Sequence, residues 1–195
     1  MKQAKVLNQS ELKRLLRVTS TTKHAQRNRV VVMLSYLAGL RACEIASLRI
    51  SDVMSAQTDN WEVKTEMVLR SWQTKGKQAQ TVILGTQLRN ELEQYLHGLT
   101  TACGDMSAPL IQSQKGSAFS SQTIQNLFRT LYSAAHVEHA SSHSGRRTFI
   151  TSLSEKGVSV RVIQELARHS SMVTTQRYID VSVDKLRNAT NLVAI

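Results

Sequence analysis

The chain has 195 residues, enough for one globular domain, and 41% of them are hydrophobic, as is ordinary for a folded core. Its formal net charge of +11 favours a polyanionic partner, most often nucleic acid. Aromatic residues make up only 5%, which argues against a base-stacking platform for single strands and favours contacts to a duplex backbone.

The chain carries no pattern of secretion, membrane insertion or metal binding. Its two cysteines, Cys43 and Cys103, lack the spacing of a disulfide framework or a metal site, and no cluster of carboxylates suggests a bound ion. The N-terminal residues lack the apolar region of a signal peptide, and the longest apolar run, residues 30–40, is too short to span a bilayer. We therefore expect a cytoplasmic protein without membrane, metal or cofactor.

The first part of the chain reads as helical. Asn8 and Glu11 have the spacing of a capping box, and apolar residues follow at helical intervals. A second helix is expected over residues 24–38, apolar nearly all round and hence central, with Gly39 at its end. A short third helix is expected over residues 41–48.

The predicted secondary structure then changes to short strands and returns to helices. Strands are expected over residues 61–63, 67–72 and 79–84, and a polar, glycine-bearing turn makes the last two a hairpin. Residues 97–114 read as irregular. Further helices are expected over residues 86–96, 121–135, 144–157, 160–168 and 182–192, with Ser159 as the N-cap of the helix over 160–168. The fold class is thus α+β, mainly helical, with a small three-stranded antiparallel sheet.

Arg41 lies between the second and third predicted helices. A guanidinium there can present its planar fork to a phosphate while its stem packs, although a surface arginine at a helix start is the simpler interpretation. Glu44 and Asp52 can each support Arg41 or merely cap a helix. Taken alone, this group of residues does not distinguish a phosphate-binding arginine from an ordinary surface arginine.

Two further groups follow along the chain. Lys75 lies at the predicted hairpin tip, where a lysine can reach a bound backbone and donate a proton; Lys77 competes for the same role, and an ordinary turn lysine is the alternative. His143 and Arg146, three residues apart, share one helix face. An arginine neighbour favours the neutral form of a histidine, which suits a base or a hydrogen-bonding partner.

The last group contains a histidine and a tyrosine nine residues apart, His169 and Tyr178, with Arg168 and Arg177 beside them. A tyrosine that attacks an electrophile needs a proton acceptor and nearby cations. A lone tyrosine is more often a half-buried core residue, and a lone histidine a helix-end residue.

The order of these groups is more specific than any one of them. Arginine, hairpin lysine, His-x-x-Arg, histidine and then tyrosine resembles the catalytic domain of the tyrosine recombinase (phage integrase) family, and the resemblance runs from Leu7 to about Leu192. It implies that family's fold over one catalytic domain, residues 1–195, with no N-terminal core-binding domain. Whether the chain is a fragment or a minimal enzyme stays open.

The resemblance also implies roles for the named residues. Arg41 and Arg146 resemble the two arginines that clamp the scissile phosphate, and Glu44 resembles the acidic residue that supports the first of them. Lys75 resembles the hairpin lysine that protonates the departing 5′-oxygen.

Three further residues match the family's reacting groups. His143 resembles the histidine that acts as base, His169 the residue that hydrogen-bonds the phosphate, and Tyr178 the nucleophile. Four neighbouring cations are expected to contact DNA without reacting: Arg147, Arg168, Arg177 and Lys77.

The chain departs from the family pattern in two places. Ala167 and Arg168 stand where Leu-Gly is usual before the second histidine, so a glycine that ends a helix has become an arginine. Gly145 stands where leucine is frequent, and we expect it to lose packing and helix propensity.

The implied function is site-specific recombination or integration of double-stranded DNA through a 3′-phosphotyrosine intermediate, without metal or ATP. The alternatives are a type IB topoisomerase-like nicking-closing enzyme and a catalytically silent DNA-binding regulator. A nucleoid-associated protein is expected, with self-association as a tetramer on DNA through the C-terminal helix and accessory DNA-bending proteins as further partners.

Overall fold

The computed structural model describes residues 3–56, 61–74, 76–103, 105–179 and 183–191. The chain divides into two compact units, Met1–Phe149 and Ile150–Ile195. The helices of the first unit are α1 (Gln9–Ser20), α2 (Ala25–Leu37), α3 (Ala42–Ser47), α4 (Ile50–Val53), α5 (Thr86–Cys103) and α6 (Ser121–Ala134). The division between the units falls inside α7 (Ser144–Glu155).

The first helix begins at the capping box that the sequence predicts. The Asn8 side chain accepts a hydrogen bond from the backbone N–H of Glu11 at 2.8 Å, and the Glu11 carboxylate accepts from the Asn8 N–H at 3.0 Å. Glu11 also forms an ion pair with Lys5 at 2.6 Å. These contacts satisfy donors that a helix start otherwise leaves without partners.

The second helix forms the centre of the first unit, as its apolar composition predicts. Every residue from Val30 to Ser35 is buried, and α2 packs against α1, α5 and α6. Each fully buried aliphatic side chain contributes about 1.5–3 kcal/mol through removal from water. This apolar core holds the end of α2, and therefore the turn that follows it, in a fixed place.

The strands form two separate antiparallel pairs in the described part of the chain. β1 (Met54–Ala56) pairs with β2 (Trp61–Val63), and β3 (Glu66–Leu69) pairs with β4 (Gln80–Ile83). The mainly helical α+β class is confirmed, as is the hairpin. The predicted three-stranded sheet is not observed: β2 pairs with β1 instead of joining the hairpin. The sequence did not predict β1 because this short strand lacks the β-branched residues that are typical of strands.

Two segments differ from their predicted elements. Helix α5 continues to Cys103, although residues 97–114 read as irregular, because apolar residues keep helical spacing past the exposed Gly98. The strand expected over residues 67–72 ends at Leu69, and Ser71–Gln73 forms a 3-10 turn instead. In that turn the Gln73 side chain accepts a hydrogen bond from the Arg70 N–H at 2.7 Å.

The second unit contains the end of α7 and three further helices: α8 (Val160–Ala167), α9 (Met172–Gln176) and α10 (Val183–Asn191). Ser159 caps α8 through its hydroxyl, as predicted. The short α9 was not expected from the sequence. Among the described residues, no helix is both long enough and apolar enough to cross a membrane.

Candidate active site

Arg41 is held by Glu44 at the start of α3. The Glu44 carboxylate accepts one hydrogen bond from the Arg41 backbone N–H at 2.8 Å and another from its guanidinium at 2.6 Å. Glu44 is fully buried, whereas 24% of the Arg41 side chain remains exposed. Glu44 therefore both caps the helix and supports the arginine, the two roles that the sequence left open, and part of the Arg41 side chain stays open to solvent.

Arg146 is tied to the same turn of the chain. Its guanidinium donates a hydrogen bond to the Gly39 carbonyl at 2.5 Å, two residues before Arg41, and the residue is 5% exposed. Gly39 has a φ of +60°, and a Cβ there would lie 2.7 Å from the Phe149 ring. Only glycine fits this turn, and its carbonyl anchors Arg146 five residues before Glu44, which supports Arg41.

His143 and Arg147 flank Arg146 at the start of α7. His143 is exposed, and its backbone N–H donates to the Ser141 hydroxyl at 3.3 Å. The Arg147 guanidinium donates to the Ala4 carbonyl at 2.8 Å. The structure thus brings Arg41, His143, Arg146 and Arg147 onto two adjoining segments of the first unit.

Gly145 is a point of close helix contact. A Cβ at this position would lie 2.5 Å from the Ser35 Oγ, 2.9 Å from its Cβ and 3.3 Å from its backbone carbon. We expected this glycine to lose packing relative to leucine. That interpretation was wrong, because α7 lies so close to α2 here that a side chain has no room.

The structure describes one of the two candidate proton donors predicted at the hairpin tip. Lys75 lies outside the described residues. Lys77 is exposed and has a φ of +52°, which fits the tip of a tight turn. The Thr74 hydroxyl donates to the Gln78 carbonyl across that tip at 2.8 Å. The choice between Lys75 and Lys77 stays a prediction.

Gln73 and Asp52 anchor the base of the hairpin. Gln73 is 3% exposed, and its amide donates to the Asp52 carboxylate at 2.9 Å and to the Ser47 carbonyl at 3.1 Å. Asp52 also accepts from the Arg49 N–H at 2.9 Å and so caps α4. The hairpin that bears the lysines is therefore attached to α3 and α4. No local pattern in the sequence marks Gln73 for this role.

In the second unit, Arg168 ends α8 in a left-handed conformation, with φ 56° and ψ 49°. This is the conformation that a glycine would adopt most easily, and it costs an arginine about 1 kcal/mol or more. Arg168 is 7% exposed, and its guanidinium donates to the Leu166 carbonyl at 3.0 Å. The arginine thus preserves the turn geometry while its side chain folds back onto the helix end.

Gln164 holds the backbone of His169 from both sides. Its carbonyl accepts from the His169 N–H at 3.1 Å, and its side-chain amide donates to the His169 carbonyl at 3.0 Å. The Arg161 guanidinium donates to the Gln164 side-chain oxygen at 3.2 Å, which leaves the amide nitrogen as the group facing His169. The peptide groups around His169 are therefore fixed by α8. Gln164 carries no signal of this role in the sequence, since only the folded turn brings its side chain to His169.

The His169 ring contacts both Thr175 and Tyr178. Its Nδ1 lies 2.9 Å from the Thr175 hydroxyl, and it stacks on the Tyr178 ring with centroids 5.8 Å apart and planes inclined by 22°. Arg177, beside Tyr178, is exposed at the end of α9. The predicted histidine and tyrosine are thus in direct contact within the second unit.

The four tyrosines differ in burial. Tyr95 and Tyr132 are buried, and burial raises the pKa of both, to about 12 for Tyr95 despite the opposing effects of Arg27 and a hydrogen bond. Tyr36 and Tyr178 are half-buried. Of these two, Tyr178 stacks on the ring of the candidate catalytic residue His169. Geometry therefore favours Tyr178 as the reactive phenol.

Comparison with known sequences identifies a family over most of the chain. The model of the phage integrase family matches residues 5–185. The chain is 34% identical over 188 residues to the tyrosine recombinase XerA of Thermococcus kodakarensis, covering 95% of this chain and 61% of that protein. It is 30% identical to XerC of Pelobacter propionicus over 86% of this chain and 52% of that protein. The chain thus spans about three-fifths or less of these curated relatives.

Comparison with solved structures agrees on the fold. A crystal structure of XerA recombinase superimposes with a TM-score of 0.75 at 26% identity, covering 99% of this chain and 67% of that one. The Tn1549 transposon integrase in complex with circular intermediate DNA gives a TM-score of 0.72 at 18% identity, covering 100% and 68%. The helices and antiparallel strands described above are therefore those of a recombinase catalytic domain.

Proposed function

This chain belongs to the phage integrase family, and on that basis we propose that it is a site-specific DNA recombinase that cleaves and rejoins strands through a covalent 3′-phosphotyrosine. The relatives named tyrosine recombinases support the proposal. Double-stranded DNA is the substrate, and the net charge of +11 favours its binding through the phosphate backbone.

In the proposed reaction, Arg41 and Arg146 bind the non-bridging oxygens of the scissile phosphate. Negative charge grows on those oxygens as the phenolate attacks, and fixed cations in a site shielded from water stabilise it without reorganising. His169 supplies a further hydrogen bond to the same phosphate. Arginine suits this role because its fork matches two phosphate oxygens and it remains charged.

In the cleavage step, a bond from Tyr178 to phosphorus replaces the bond from phosphorus to the 5′-oxygen of the sugar. His143 accepts the proton of the Tyr178 hydroxyl, the phenolate oxygen forms a bond to phosphorus, and the bond to the 5′-oxygen breaks. Lys75, or Lys77 beside it, gives the departing 5′-oxygen its proton. The phosphodiester becomes a phosphotyrosine ester of similar energy, so a 5′-hydroxyl of another strand can attack it and restore the backbone.

The observation that carries this proposal is that both arginines are anchored at the turn between α2 and α3. Arg41 follows Gly39 by two residues, and the Arg146 guanidinium is hydrogen-bonded to the Gly39 carbonyl. The buried Glu44 fixes Arg41 from the other side. Two cations anchored at the same turn, Arg41 by Glu44 and Arg146 by the Gly39 carbonyl, form a site suited to a single phosphate rather than a diffuse basic surface.

Further contacts to DNA and protein belong to the proposal. Arg147, Arg177 and Lys77 are proposed to contact the backbone, whereas the burial of Arg168 favours support of the turn before His169. Self-association on DNA is proposed through α10, whose Val183 and Leu186 are 70% and 57% exposed. Accessory DNA-bending proteins are proposed as further partners, and a protein with this activity is expected to associate with the nucleoid.

A covalent-trapping experiment tests the activity. The protein is incubated with a pool of nicked duplexes of randomised sequence, in which the short strand beyond the cleavage point diffuses away and prevents religation. Complexes that survive SDS are isolated and their DNA is sequenced. We expect a DNA adduct on Tyr178 with the wild type and none with Tyr178→Phe, which keeps the ring and removes the attacking oxygen.

The outcomes separate the enzyme from related activities. Enriched DNA bound by the wild type without an adduct would identify a DNA-binding regulator and overturn the proposal. An adduct together with plasmid relaxation, but no joining of strands from different duplexes, would indicate a nicking-closing enzyme instead. Recombinant strands that depend on Tyr178 support the recombinase.

A further inference from the structure

We infer that Thr175 is a positioning residue that fixes the tautomer of His169. In this assignment the Thr175 hydroxyl donates a hydrogen bond to Nδ1 of His169, so that the neutral ring carries its hydrogen on Nε2. The Nε2–H is then the group that donates to a phosphate oxygen. The inference rests on the proposed function, in which His169 is a hydrogen-bond donor to the scissile phosphate.

The burial of Thr175 decides the direction of this hydrogen bond. Thr175 is 0% exposed, and among the described residues its hydroxyl has one hydrogen-bonding partner, the His169 Nδ1 at 2.9 Å. If Nδ1–H donated to the hydroxyl, the buried hydroxyl hydrogen would be left without an acceptor. A buried donor without a partner costs about 1–3 kcal/mol, whereas an unused hydroxyl lone pair costs much less.

The surrounding contacts keep the ring in place for this hydrogen bond. Gln164 fixes both the N–H and the carbonyl of His169, so the backbone cannot turn the ring away. On one side the ring stacks on Tyr178. With the backbone and one face fixed, the Thr175 hydroxyl determines which nitrogen carries the hydrogen.

The arrangement suits a reaction in which the same histidine must not exchange protons with the phosphate. A neutral imidazole whose Nδ1 accepts a hydrogen bond can donate only through Nε2. An Nδ1–H tautomer would instead present the Nε2 lone pair to a negatively charged oxygen, which is repulsive. Second-sphere hydrogen bonds also fix the tautomer of histidines at metal sites, although there the second ring nitrogen donates the hydrogen bond.

Two matched substitutions test the contribution of the hydroxyl. Thr175→Val keeps the branched shape and removes the hydroxyl, whereas Thr175→Ser keeps the hydroxyl. With nicked duplex DNA selected by covalent trapping, and at saturating DNA, we expect Thr175→Val to slow adduct formation about 3- to 10-fold, the size of one lost hydrogen bond. Thr175→Ser should stay within about twofold of the wild type.

Nitrogen-15 NMR tests the tautomer directly and needs no DNA. The full chain is labelled with ¹⁵N-histidine, and long-range ¹H–¹⁵N correlations are recorded at a pH where the ring is neutral. His169→Asn identifies the signals of His169 among those of the six histidines. We expect the Nε2–H pattern in the wild type and in Thr175→Ser, and a shift toward the Nδ1–H pattern in Thr175→Val.

The two readouts keep this inference separate from the proposed activity. An Nδ1–H pattern in the wild type, or an unchanged cleavage rate and NMR pattern in Thr175→Val, overturns the role of Thr175 even if the protein forms a covalent adduct. Conversely, a wild type that binds DNA without an adduct overturns the recombinase, while the Nε2–H pattern would still support the hydrogen-bond assignment. If Thr175→Val fails to fold, the wild-type spectrum alone decides the tautomer.

Discussion

Replacement of Gly145 by alanine sets helix propensity against steric fit. Alanine is favoured over glycine in a helix by about 0.5–1 kcal/mol, so propensity alone predicts a more stable protein. The structure predicts the opposite, because the new Cβ would lie 2.5 Å from the Ser35 Oγ and 3.3 Å from its backbone carbon. Overpacking of this kind costs about 1–3 kcal/mol, so we expect a net loss of about 1–2 kcal/mol.

Gly98 provides a matched control for this substitution. It also lies in a helix, but a Cβ there would meet only the Gln26 side-chain oxygen at 3.6 Å, an ordinary contact. Gly98→Ala should therefore stabilise the protein by about 0.5–1 kcal/mol. Urea unfolding followed by circular dichroism at 25 °C measures both variants against the wild type.

A second variant identifies the colliding group. Ser35→Ala removes the hydroxyl nearest to the new Cβ, so Gly145→Ala should cost less in that background than in the wild type. Equal stabilisation by Gly145→Ala and Gly98→Ala would refute the reasoning, because it would mean that α7 and α2 separate without cost.

Two further predictions concern buried carboxylates. Glu44→Gln removes the charge that holds Arg41, so we expect the rate of covalent adduct formation to fall about tenfold or more, with little change in DNA affinity measured by filter binding. Loss of a transition-state donor itself costs about 10²–10³ in rate, and Glu44 acts on such a donor. An unchanged rate would mean that Arg41 keeps its position unaided. Burial raises the pKa of Glu11, but the hydrogen bonds from Lys5 and Asn8 outweigh it, so the pKa lies below the ordinary 4.5. The stability that ionised Glu11 contributes is therefore present above pH 4.5 and is lost as the pH falls through the folded-state pKa. Glu11→Gln should accordingly reduce the free energy of unfolding by less than about 1 kcal/mol at pH 7, and the difference from the wild type should vanish in acid; a difference that grows toward pH 3 would contradict the assignment.

The sequence predicts those parts of the fold that depend on neighbouring residues. The capping box of Asn8 and Glu11, the N-cap of α8 and the hairpin all follow from local spacing, and each is present. Burial of α2 could equally be predicted from the sequence, because its apolar residues surround the whole helix.

Contacts between distant residues were not predictable in the same way. Gln73 reaches Asp52 across 21 residues, and Gly145 faces Ser35 from another helix. A polar side chain in a turn and a glycine in a helix have many ordinary explanations, and only the packed structure selects one. The catalytic candidates were identified from their order along the chain, whereas the residues that hold them, Gln164 and Thr175 among them, became visible only through their hydrogen bonds.

The turn at Gly39 gives this protein a position whose mutational behaviour should mimic that of a reacting residue. Gly39 has no functional group to contribute, yet its positive φ and its contact with the Phe149 ring exclude every side chain, and its carbonyl holds Arg146 immediately before Arg41. In a saturation mutagenesis screen for recombination, codon 39 should therefore tolerate as few substitutions as codon 178. Suppressor mutations should be correspondingly rare, because no single compensating change can restore both the backbone conformation and the space.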